Sequence, residues 1–475
     1  MEIVQPSLIE RINHWIKESI MVKLMSIGFL ILILLIPQAW LQSLMVERQY
    51  RADAVIGEIA SKWSGEQNIA GPVLVIPIVK REKIDKGKEG IEIREWTEKA
   101  FFLPEKLKIT GKVDPQILHR GIFDAAVYES SLDIAAQFLP PDFQKLNVTP
   151  GDVLWKDAYL ILGITDLRGI SENPKLKMGD HDLTGEPSNN IGLSSEYSST
   201  SGQSDYQDGV PNKQKKASEK GIVMKLPWRT GDDFGGASSI QLNLKGSTLL
   251  YFAPVGKTTE VSLQGPWASP SFDGDFLPAS REITDTGFAA NWKILHYNRP
   301  FSQEWVGNNQ TLTGAEFGVK LLIPVDQYQK SIRTAKYGIL VILLTFISLF
   351  MVEIMKKVRI HPFQYILVGA ALIIYYSLLL SFSEHLGYDL SYVIASVASV
   401  GLIALYSSTF LGSRKLVFVF MGLLAFFYGF IFVIIQLQDY SLLLGSIGLF
   451  LTVGLLMYFS KGIQWYGDEV KESVA

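Results

Sequence analysis

The chain has 475 residues, a formal net charge of −3 and no cysteine. This near-neutral balance gives no reason to expect a nucleic acid or a strongly charged partner. The absence of cysteine excludes thiol catalysis, disulfide bonds and cysteine-ligated metal sites. Hydrophobic residues make up 48% of the chain, but a long, more polar stretch separates one apolar run near the N-terminus from several in the last third.

The first residues are predicted to lie on a membrane surface. Apolar residues recur at helical spacing over Ser7–Ile20, with charged residues between them. We assign residues 1–23 to a cytoplasmic amphipathic helix; a plain cytoplasmic extension of the first membrane span is the alternative. Leu24–Leu44 follows as transmembrane helix 1. No small-residue cleavage site follows this run, and basic residues precede it, so it is predicted to be an uncleaved signal anchor that leaves the N-terminus inside.

Residues 45–336 are predicted to form a β-rich periplasmic domain. Short runs rich in valine, isoleucine and phenylalanine are punctuated by proline, glycine and aspartate, as in a sandwich or stacked antiparallel sheets. Residues 171–220 are mostly polar and are predicted to be a flexible insertion, since they cannot bury enough apolar surface to become ordered. The segments Lys99–Val113 and Leu249–Gly265 look alike and lie on either side of it, which suggests two related β halves. The predicted strands are Pro72–Val79, Lys99–Leu103, Leu107–Val113, Gly121–Gln137, Tyr159–Ile164, Gly221–Leu226, Ser238–Phe252, Thr258–Gln264, Gly287–Leu295 and Gly318–Pro324.

Residues 337–460 are predicted to form a bundle of five transmembrane helices. The loop after the first of them carries Lys356, Lys357 and Arg359, and a short loop that basic is held in the cytoplasm. Residues 461–475 become a cytoplasmic tail. The predicted fold class is therefore a multi-span α-helical membrane protein with six transmembrane helices and a large, mainly-β periplasmic domain inserted between helices 1 and 2. The five later spans are Tyr337–Ile354, Phe363–Phe382, Tyr392–Phe410, Leu416–Leu437 and Leu442–Phe459.

The sequence carries no familiar catalytic motif. It lacks a G-x-S-x-G elbow, an H-E-x-x-H pair and a Walker loop. Its six histidines are scattered, so no metal site and no cofactor are predicted. The span centres carry small residues and no charge, which favours helix packing over a substrate path. Glu384 and His385, at the outer end of their span, are the candidate site at the outer membrane interface.

The segment Gly265–Trp292 is the most unusual part of the predicted domain. Aromatic residues alternate there with prolines and charged residues. Ordered loops of this composition serve recognition, and they also close the ends of β domains, so a binding surface and a structural plug are alternatives. Asp273-Gly274-Asp275 resembles the start of a calcium loop, but the other oxygen ligands are missing, which favours a turn. The candidate recognition residues are Trp267, Phe272, Asp273, Asp275, Phe276 and Arg281.

Motifs along nearly the whole chain point to one family. They are Gly71-Pro72-x-x-x-Ile76-Pro77, Phe102-Leu103-Pro104-Glu105, Trp267-x-x-Pro270-Ser271-Phe272-x-Gly274-Asp275-Phe276-Leu277-Pro278-Ala279-x-Arg281, Asp326-Gln327-Tyr328-Gln329, Ala335-Lys336-Tyr337, His361-Pro362-x-Gln364-Tyr365 and Ser383-Glu384-His385. With these motifs, the chain resembles the CreD family of bacterial inner-membrane proteins associated with cell-envelope integrity. The resemblance implies a Gram-negative inner-membrane protein linked to envelope stress and to bacteriocin or β-lactam tolerance. It implies no enzymatic activity, cofactor or substrate, so no catalytic residue is carried over; residues 171–220 depart from the pattern.

We therefore expect a protein that is not an enzyme and that maintains or senses the cell envelope through its periplasmic domain. The expected partners are the lipid bilayer and, through periplasmic contacts, lipid, peptidoglycan or another envelope protein, with no nucleic acid. A lipid or small-molecule transporter is one alternative, which a polar cavity at mid-depth in the bundle would favour. A periplasmic hydrolase of unfamiliar type is another, which would need convergent carboxylates or a His–carboxylate pair in a pocket.

Overall fold

The computed structural model describes residues 20–86, 91–193, 220–307, 310–312, 314–323, 327–356, 358–437 and 441–461. The chain forms two units. A helical unit takes its residues from Met1–Arg51 and Val325–Ala475, and a β domain comprises Ala52–Pro324. The first nineteen residues of the predicted amphipathic helix, and nearly all of the predicted cytoplasmic tail, lie outside the described residues.

Five of the six predicted membrane spans fall on helices that are long and apolar enough to cross a membrane. Five helical stretches of the described residues are long and apolar enough to cross a membrane: Met21–Trp63, Gln327–Lys356, Pro362–Leu386, Tyr388–Ser407 and Arg414–Gln436. Each overlaps one predicted span. The sixth predicted span, Leu442–Phe459, falls on a further helix, and a total of six spans stays a prediction. The helices are α1 (Ile20–Trp63), α2 (Gln327–Lys336), α3 (Gly338–Lys356), α4 (Pro362–Leu386), α5 (Tyr388–Ser407), α6 (Arg414–Gln436) and α7 (Ser441–Ser460).

Local sequence fixes both ends of α4. His361 precedes a proline at the first helical position, and its Nδ1 accepts a hydrogen bond from the backbone N–H of Phe363 at 3.2 Å. The Gln364 side chain accepts one from the His361 N–H at 2.9 Å, which completes a reciprocal cap. At the other end, Gly387 has a φ of 77°, a conformation that glycine adopts without steric cost. A single residue therefore separates α4 from α5.

The β domain contains two sheets, joined by short connections that include 3₁₀ turns at Pro150–Asp152, Trp155–Asp157, Leu167–Gly169, Gly231–Asp233 and His296–Asn298. The strands are β1 (Gln67–Asp85), β2 (Ile91–Phe102), β3 (Lys106–Arg120), β4 (Phe123–Gln137), β5 (Tyr159–Ile164), β6 (Lys175–Met178), β7 (His181–Leu183), β8 (Gly185–Ser188), β9 (Gly221–Lys225), β10 (Ala237–Ser247), β11 (Leu249–Ala253), β12 (Thr258–Gly265), β13 (Pro270–Gly274), β14 (Ser280–Thr284), β15 (Gly287–Leu295), β16 (Glu304–Val306) and β17 (Phe317–Leu321).

In the nine-stranded sheet, the order is β13-β17-β11-β1-β5-β9-β8, with β2 also paired to β1 and β16 to β2. The eight-stranded sheet has the order β14-β15-β12-β3-β4-β10-β6-β7. The predicted strands Tyr159–Ile164 and Gly287–Leu295 are confirmed residue for residue. The predicted strand Ser238–Phe252 is instead two strands, β10 and β11, because the chain leaves one sheet for the other near Thr248, whose φ is 60°.

The two sheets differ in which of their faces are buried. In β1, Ile69–Ile76 is buried without interruption, as expected for a strand covered on both faces. In β3 and β4, burial alternates residue by residue, so that Leu107 and Ile109 face the core while Lys106 and Lys108 face outward. The eight-stranded sheet therefore has one apolar face against the core and one polar outer face.

The two similar segments follow a common path. In Lys99–Val113 the chain passes from β2 in the nine-stranded sheet to β3 in the eight-stranded one, and in Leu249–Gly265 it passes from β11 to β12 in the same way. The two turns touch, since the Lys257 N–H donates to the Pro104 carbonyl at 2.9 Å, and β3 pairs with β12 in parallel. That the two halves form a true repeat stays a prediction.

The prediction that residues 171–220 form a flexible insertion is wrong for its first part. Within residues 171–193, β6 pairs with β10 and β8 pairs with β9. Leu176 and Met178 of β6 are buried, because even this polar stretch places an apolar residue at every second position of a short strand. Residues 194–219 lie outside the described residues.

Candidate functional site

The aromatic residues of the predicted recognition segment turn inward. Trp267, Phe272 and Phe276 are half-buried and pack against the core of the β domain. The ring of Phe272 makes edge contacts with Phe288 and Trp292, at centroid distances of 6.0 and 5.7 Å. Such ring contacts cover the end of a hydrophobic core and exclude water from it. The aromatic half of the segment thus has the geometry of a plug.

Indole hydrogen bonds hold the same segment in place. The Trp292 Nε1–H donates to the Phe276 carbonyl at 3.1 Å, and the Trp267 Nε1–H donates to the Leu322 carbonyl at 3.2 Å. Trp292 is 2% exposed, so its N–H needs this acceptor. A backbone carbonyl of the loop before β14 is therefore hydrogen-bonded to a buried side chain of the domain.

The charged residues of the segment face solvent. Asp273, Asp275 and Arg281 are all exposed and, within the described part of the chain, form no ion pair with one another. The Asp273 carboxylate accepts a hydrogen bond from the Gly274 N–H at 2.9 Å, as in a turn. The described residues hold no group of three or more side chains suited to a metal. The turn predicted at Asp273-Gly274-Asp275 therefore fits better than a calcium loop.

A buried carboxylate behind this turn was not anticipated from the sequence. Glu316 is 8% exposed and accepts hydrogen bonds from the N–H groups of Gly314 and Ala315, at 3.0 and 3.1 Å. Its own carbonyl accepts from the Asp275 N–H at 2.8 Å. Burial raises the pKa of Glu316, and the nearby Asp275 charge adds to that rise. Gly274, with a φ of 99°, allows this close approach, since a Cβ there would overlap with the Glu316 carbonyl oxygen.

Two grooves open on the outer face of the eight-stranded sheet. The end groove adjoins the predicted segment, has a volume of about 570 Å³ and is lined among others by Lys112, Gln264, Pro266, Glu282 and Thr284. The lysine groove crosses the same sheet further along β3, has a volume of about 790 Å³ and is lined among others by Lys106, Lys108, Lys177, Lys293 and Glu260. Volumes of this size suit a small molecule or a polymer segment. Both grooves are open concave surfaces, which the inward-facing aromatic residues are not.

A histidine–carboxylate pair occurs in the domain, but outside both grooves. The His119 Nδ1 and the Asp124 Oδ1 lie 2.6 Å apart at the turn between β3 and β4, with side chains 70% and 45% exposed. A general base of this kind needs a nucleophile and a protected cleft beside it. The pair forms part of an open hairpin, so the structure gives no support to hydrolysis at this place.

The structure separates the two residues of the predicted membrane-interface site. Glu384 is half-buried in the helical unit, where its carboxylate accepts a hydrogen bond from the Tyr328 hydroxyl at 3.2 Å and lies 3.7 Å from the Arg48 guanidinium. His385 is exposed. Glu384 thus joins α1, the start of α2 and the end of α4. Neighbouring positions on a helix point in different directions, which is why the pair does not converge.

A second buried carboxylate, on α3, lies beside the start of α4. Glu353 is 5% exposed; its Oε1 accepts from the Lys23 ammonium at 2.7 Å and from the Ile360 N–H at 3.3 Å, and its Oε2 accepts from the Tyr365 hydroxyl at 3.1 Å. From the sequence, Glu353 is recognisable only as a residue near the end of its predicted span. Its partners lie as far as 330 positions away in the chain, so no local pattern signals them.

Buried tyrosines form the middle of the helical unit. Tyr375 of α4 is within 5.8 Å, centroid to centroid, of Tyr376, Tyr392 and Tyr428. The Tyr392 hydroxyl donates to the Tyr428 carbonyl at 2.7 Å. The hydroxyls of Tyr375 and Tyr428 meet no partner among the described residues. A search of the spans for charge alone overlooks such a polar but uncharged cluster.

Comparisons with known proteins agree along nearly the whole chain. The family model described as "Inner membrane protein CreD" matches residues 19–466. A relative from Escherichia coli (strain K12), also described as "Inner membrane protein CreD", is 31% identical over 459 residues, which cover 95% of each chain. The match includes the β domain and the helical unit alike.

Proposed function

The chain belongs to the CreD family of inner membrane proteins, and from that premise we propose that it maintains or senses cell-envelope integrity by binding an envelope component with its β domain. In this proposal, six helices cross the inner membrane, both termini are cytoplasmic and the β domain is periplasmic. The protein is not an enzyme; it takes part in the envelope stress response and in tolerance of bacteriocins or β-lactams.

Charge in the short loops supports this orientation. Lys356 ends α3 and Arg359 lies between α3 and α4, while Arg414 and Lys415 lie at the start of α6. Loops this basic are retained on the cytoplasmic side. With α1 as an outward-going anchor, the β domain then falls on the far side. A long domain translocates largely regardless of its own charges.

The single observation that carries the proposal is the open outer face of the eight-stranded sheet. It presents two grooves on a polar surface, whereas in the described part of the helical unit the apolar stretches 24–46, 337–352, 362–383, 390–413 and 416–437 carry no acidic or basic side chain. Substrate and ion paths usually place ionisable groups at mid-depth. Binding is therefore assigned to the β domain and anchoring to the helices.

In this proposal, the exposed residues of the predicted recognition segment take part in binding. Asp273, Asp275 and Arg281 are exposed and are here called the charged rim of the segment, and Pro266 and Glu282 of the same segment line the end groove. We propose that the rim and the end groove contact the envelope component, while the three aromatic residues hold the rim rigid. Loops on a rigid scaffold are well suited to that role.

Photocrosslinking in intact cells tests the binding role. A photoreactive residue at Leu277, which is 68% exposed within the segment, should capture one defined envelope component. A matched position on the other sheet is Glu186 of β8, which is exposed and lies far along the strand order. Capture of the same component from both positions, or of random neighbours from Leu277, would refute the assignment.

A second measurement tests the orientation separately. A reporter fused after Lys357 should be active only as a cytoplasmic reporter, and protease added to spheroplasts should cut within the β domain. An extracytoplasmic signal after Lys357 would reverse the proposed topology and remove the periplasmic role with it.

Transport is a second candidate, which the tyrosine cluster favours. An unpartnered hydroxyl in a membrane-spanning unit is costly unless water or a ligand meets it. If a lipid or small molecule passes through the helical unit, replacing Tyr375 or Tyr428 by phenylalanine should change the tolerance phenotype without changing the amount of folded protein. An unchanged phenotype at normal abundance would leave the cluster a packing element.

A further inference from the structure

Lysines face each other across the lysine groove. In register, Lys108 of β3 pairs with Ala135 of β4, Ala135 with Ser239 of β10, and Ser239 with Lys177 of β6. The four residues form one row across the outer face of the eight-stranded sheet, and all are exposed. The long basic side chains of Lys108 and Lys177 therefore flank the short side chains of Ala135 and Ser239.

The spacing of this row makes a trough. Neighbouring strands lie about 4.8 Å apart, so three strand spacings separate Lys108 from Lys177 by roughly 14 Å between backbones. The side chains of Ala135 and Ser239 rise little from the floor, whereas a lysine carries its ammonium group on a flexible four-carbon stem. Both ammonium groups can lean over the floor toward one group seated between them.

The neighbouring charges leave the trough positive. Lys293 lies 3.3 Å from Glu260, and Lys177 lies 3.5 Å from Asp182. Within the described residues, Lys106 and Lys108 form no ion pair. Further out on the face, the Asp133 carboxylate accepts a hydrogen bond from Gln241 at 3.1 Å, and Lys175 adds a positive charge. Glu260 also pairs in register with Lys108 on the neighbouring strand, but the four lysines of the groove outnumber Glu260 and Asp182, so an excess of positive charge remains.

We propose that the lysine groove binds a phosphate-bearing ligand, a phosphate monoester or diester, over Ala135 and Ser239. Lysine holds phosphate as a mobile point charge, and the small floor residues leave room for the sugar or glycerol that carries it. A phospholipid headgroup and a phosphorylated envelope glycan share this chemistry. The inference rests on the proposed function only in taking the ligand from the envelope.

The test uses the purified full chain in phosphatidylcholine nanodiscs. One arm measures binding of glucose 1-phosphate by calorimetry, with glucose as the uncharged control. The other measures flotation with vesicles of phosphatidylglycerol against vesicles of phosphatidylcholine. We expect saturable binding in one arm, weakened at least about tenfold by Lys108→Gln with Lys177→Gln and reduced by added salt.

Two variants keep the result interpretable. Lys225→Gln removes an exposed lysine of β9, in the other sheet and outside both grooves, and should leave binding unchanged. Lys108→Arg with Lys177→Arg should retain most of it. Absence of saturable binding in both arms, or an equal loss in Lys225→Gln, overturns the assignment. If crosslinking at Leu277 still captures an envelope component, only the lysine groove is refuted; if both tests fail, the binding role of the domain falls as well.

Discussion

Replacing Asp166 by asparagine tests how the end of α1 is held within the β domain. The Asp166 carboxylate accepts hydrogen bonds from the Gly65 N–H at 2.9 Å and from the Arg168 guanidinium at 2.9 and 2.6 Å. Arg168 in turn donates to the Ser61 carbonyl, which belongs to the last turn of α1, at 2.9 Å. An asparagine fits the same space but removes the charge that joins these groups.

The magnitude follows from the pKa of Asp166. Partial burial alone opposes ionisation, but hydrogen bonds from Arg168 and from the Gly65 N–H outweigh it and lower the pKa from 3.8 to about 2. A shift of that size corresponds to about 2.5 kcal/mol if fully realised. Because the Arg168 side chain is 66% exposed and solvent screens the contact, we expect about 1–2 kcal/mol.

The sign of the pH dependence is fixed by the direction of this shift. A carboxyl whose pKa falls on folding stabilises the fold at pH values well above 3.8, and this stabilisation is lost as the pH falls toward about 2. The variant should therefore unfold more easily than the parent at pH 7. The difference should shrink steadily in acid.

Urea unfolding of the full chain in detergent micelles measures the effect. Tryptophan fluorescence reports mainly on the β domain, which contains seven of the ten tryptophans. Asp142→Asn is the matched control, because the 43%-exposed Asp142 side chain makes only local contacts, with the Lys145 ammonium and the Gln144 N–H, both at 3.2 Å, and it should leave the midpoint nearly unchanged. Equal stability of Asp166→Asn and parent at pH 7, or a difference that persists undiminished near pH 2, would refute this account.

Further variants at three places test buried polar contacts. Lys23→Met leaves the Glu353 carboxylate buried without its cation, so the free energy of unfolding, measured by heating in micelles, should fall by about 2–4 kcal/mol. Adding Glu353→Leu should recover much of this loss. No recovery would show that Lys23 does not stabilise the protein by neutralising Glu353. Arg299→Met removes a 7%-exposed guanidinium that holds backbone carbonyls of its own loop, so the β domain should lose about 2–3 kcal/mol in urea; an unchanged midpoint would contradict the contacts. Tyr375→Phe should be neutral, while Tyr392→Phe should cost about 1 kcal/mol by losing a donated hydrogen bond, and equal effects would disprove the distinction.

Much of the architecture is readable from local pattern. A short apolar run marks Tyr159–Ile164 as a strand, and alternation marks Gly287–Leu295. Long apolar runs mark the spans. These signals depend only on neighbours in sequence. Pairing depends on distant residues. Nothing in the sequence of β1 shows that its start pairs in parallel with β11 and its remainder in antiparallel with β2.

The candidate site shows the same division. Proline, glycine and charge mark Gly265–Trp292 as an unusual loop, but only tertiary packing decides that Phe272 turns inward and Asp273 outward. Glu316 and Glu353 are isolated acidic residues in sequence, and only their burial makes them notable. The lysine groove is visible in hindsight as two K-L-K runs, Lys106–Lys108 and Lys175–Lys177, yet the register that opposes them is a property of four strands.

The parallel pairing of β1 with β11 has a consequence for how the domain is made. Gln67, at the start of β1, pairs with Leu250, roughly 180 residues later, so this end of β1 is completed only by the eleventh of the seventeen strands. At ordinary synthesis rates, roughly 10–40 s pass between the emergence of the two strands. For that interval Gln67–Ala70 has one edge without its final partner, a state prone to wrong association. In the proposed periplasmic topology, export as an extended chain, followed by assembly once β11 arrives, suits this order of events better than stepwise folding from the N-terminus.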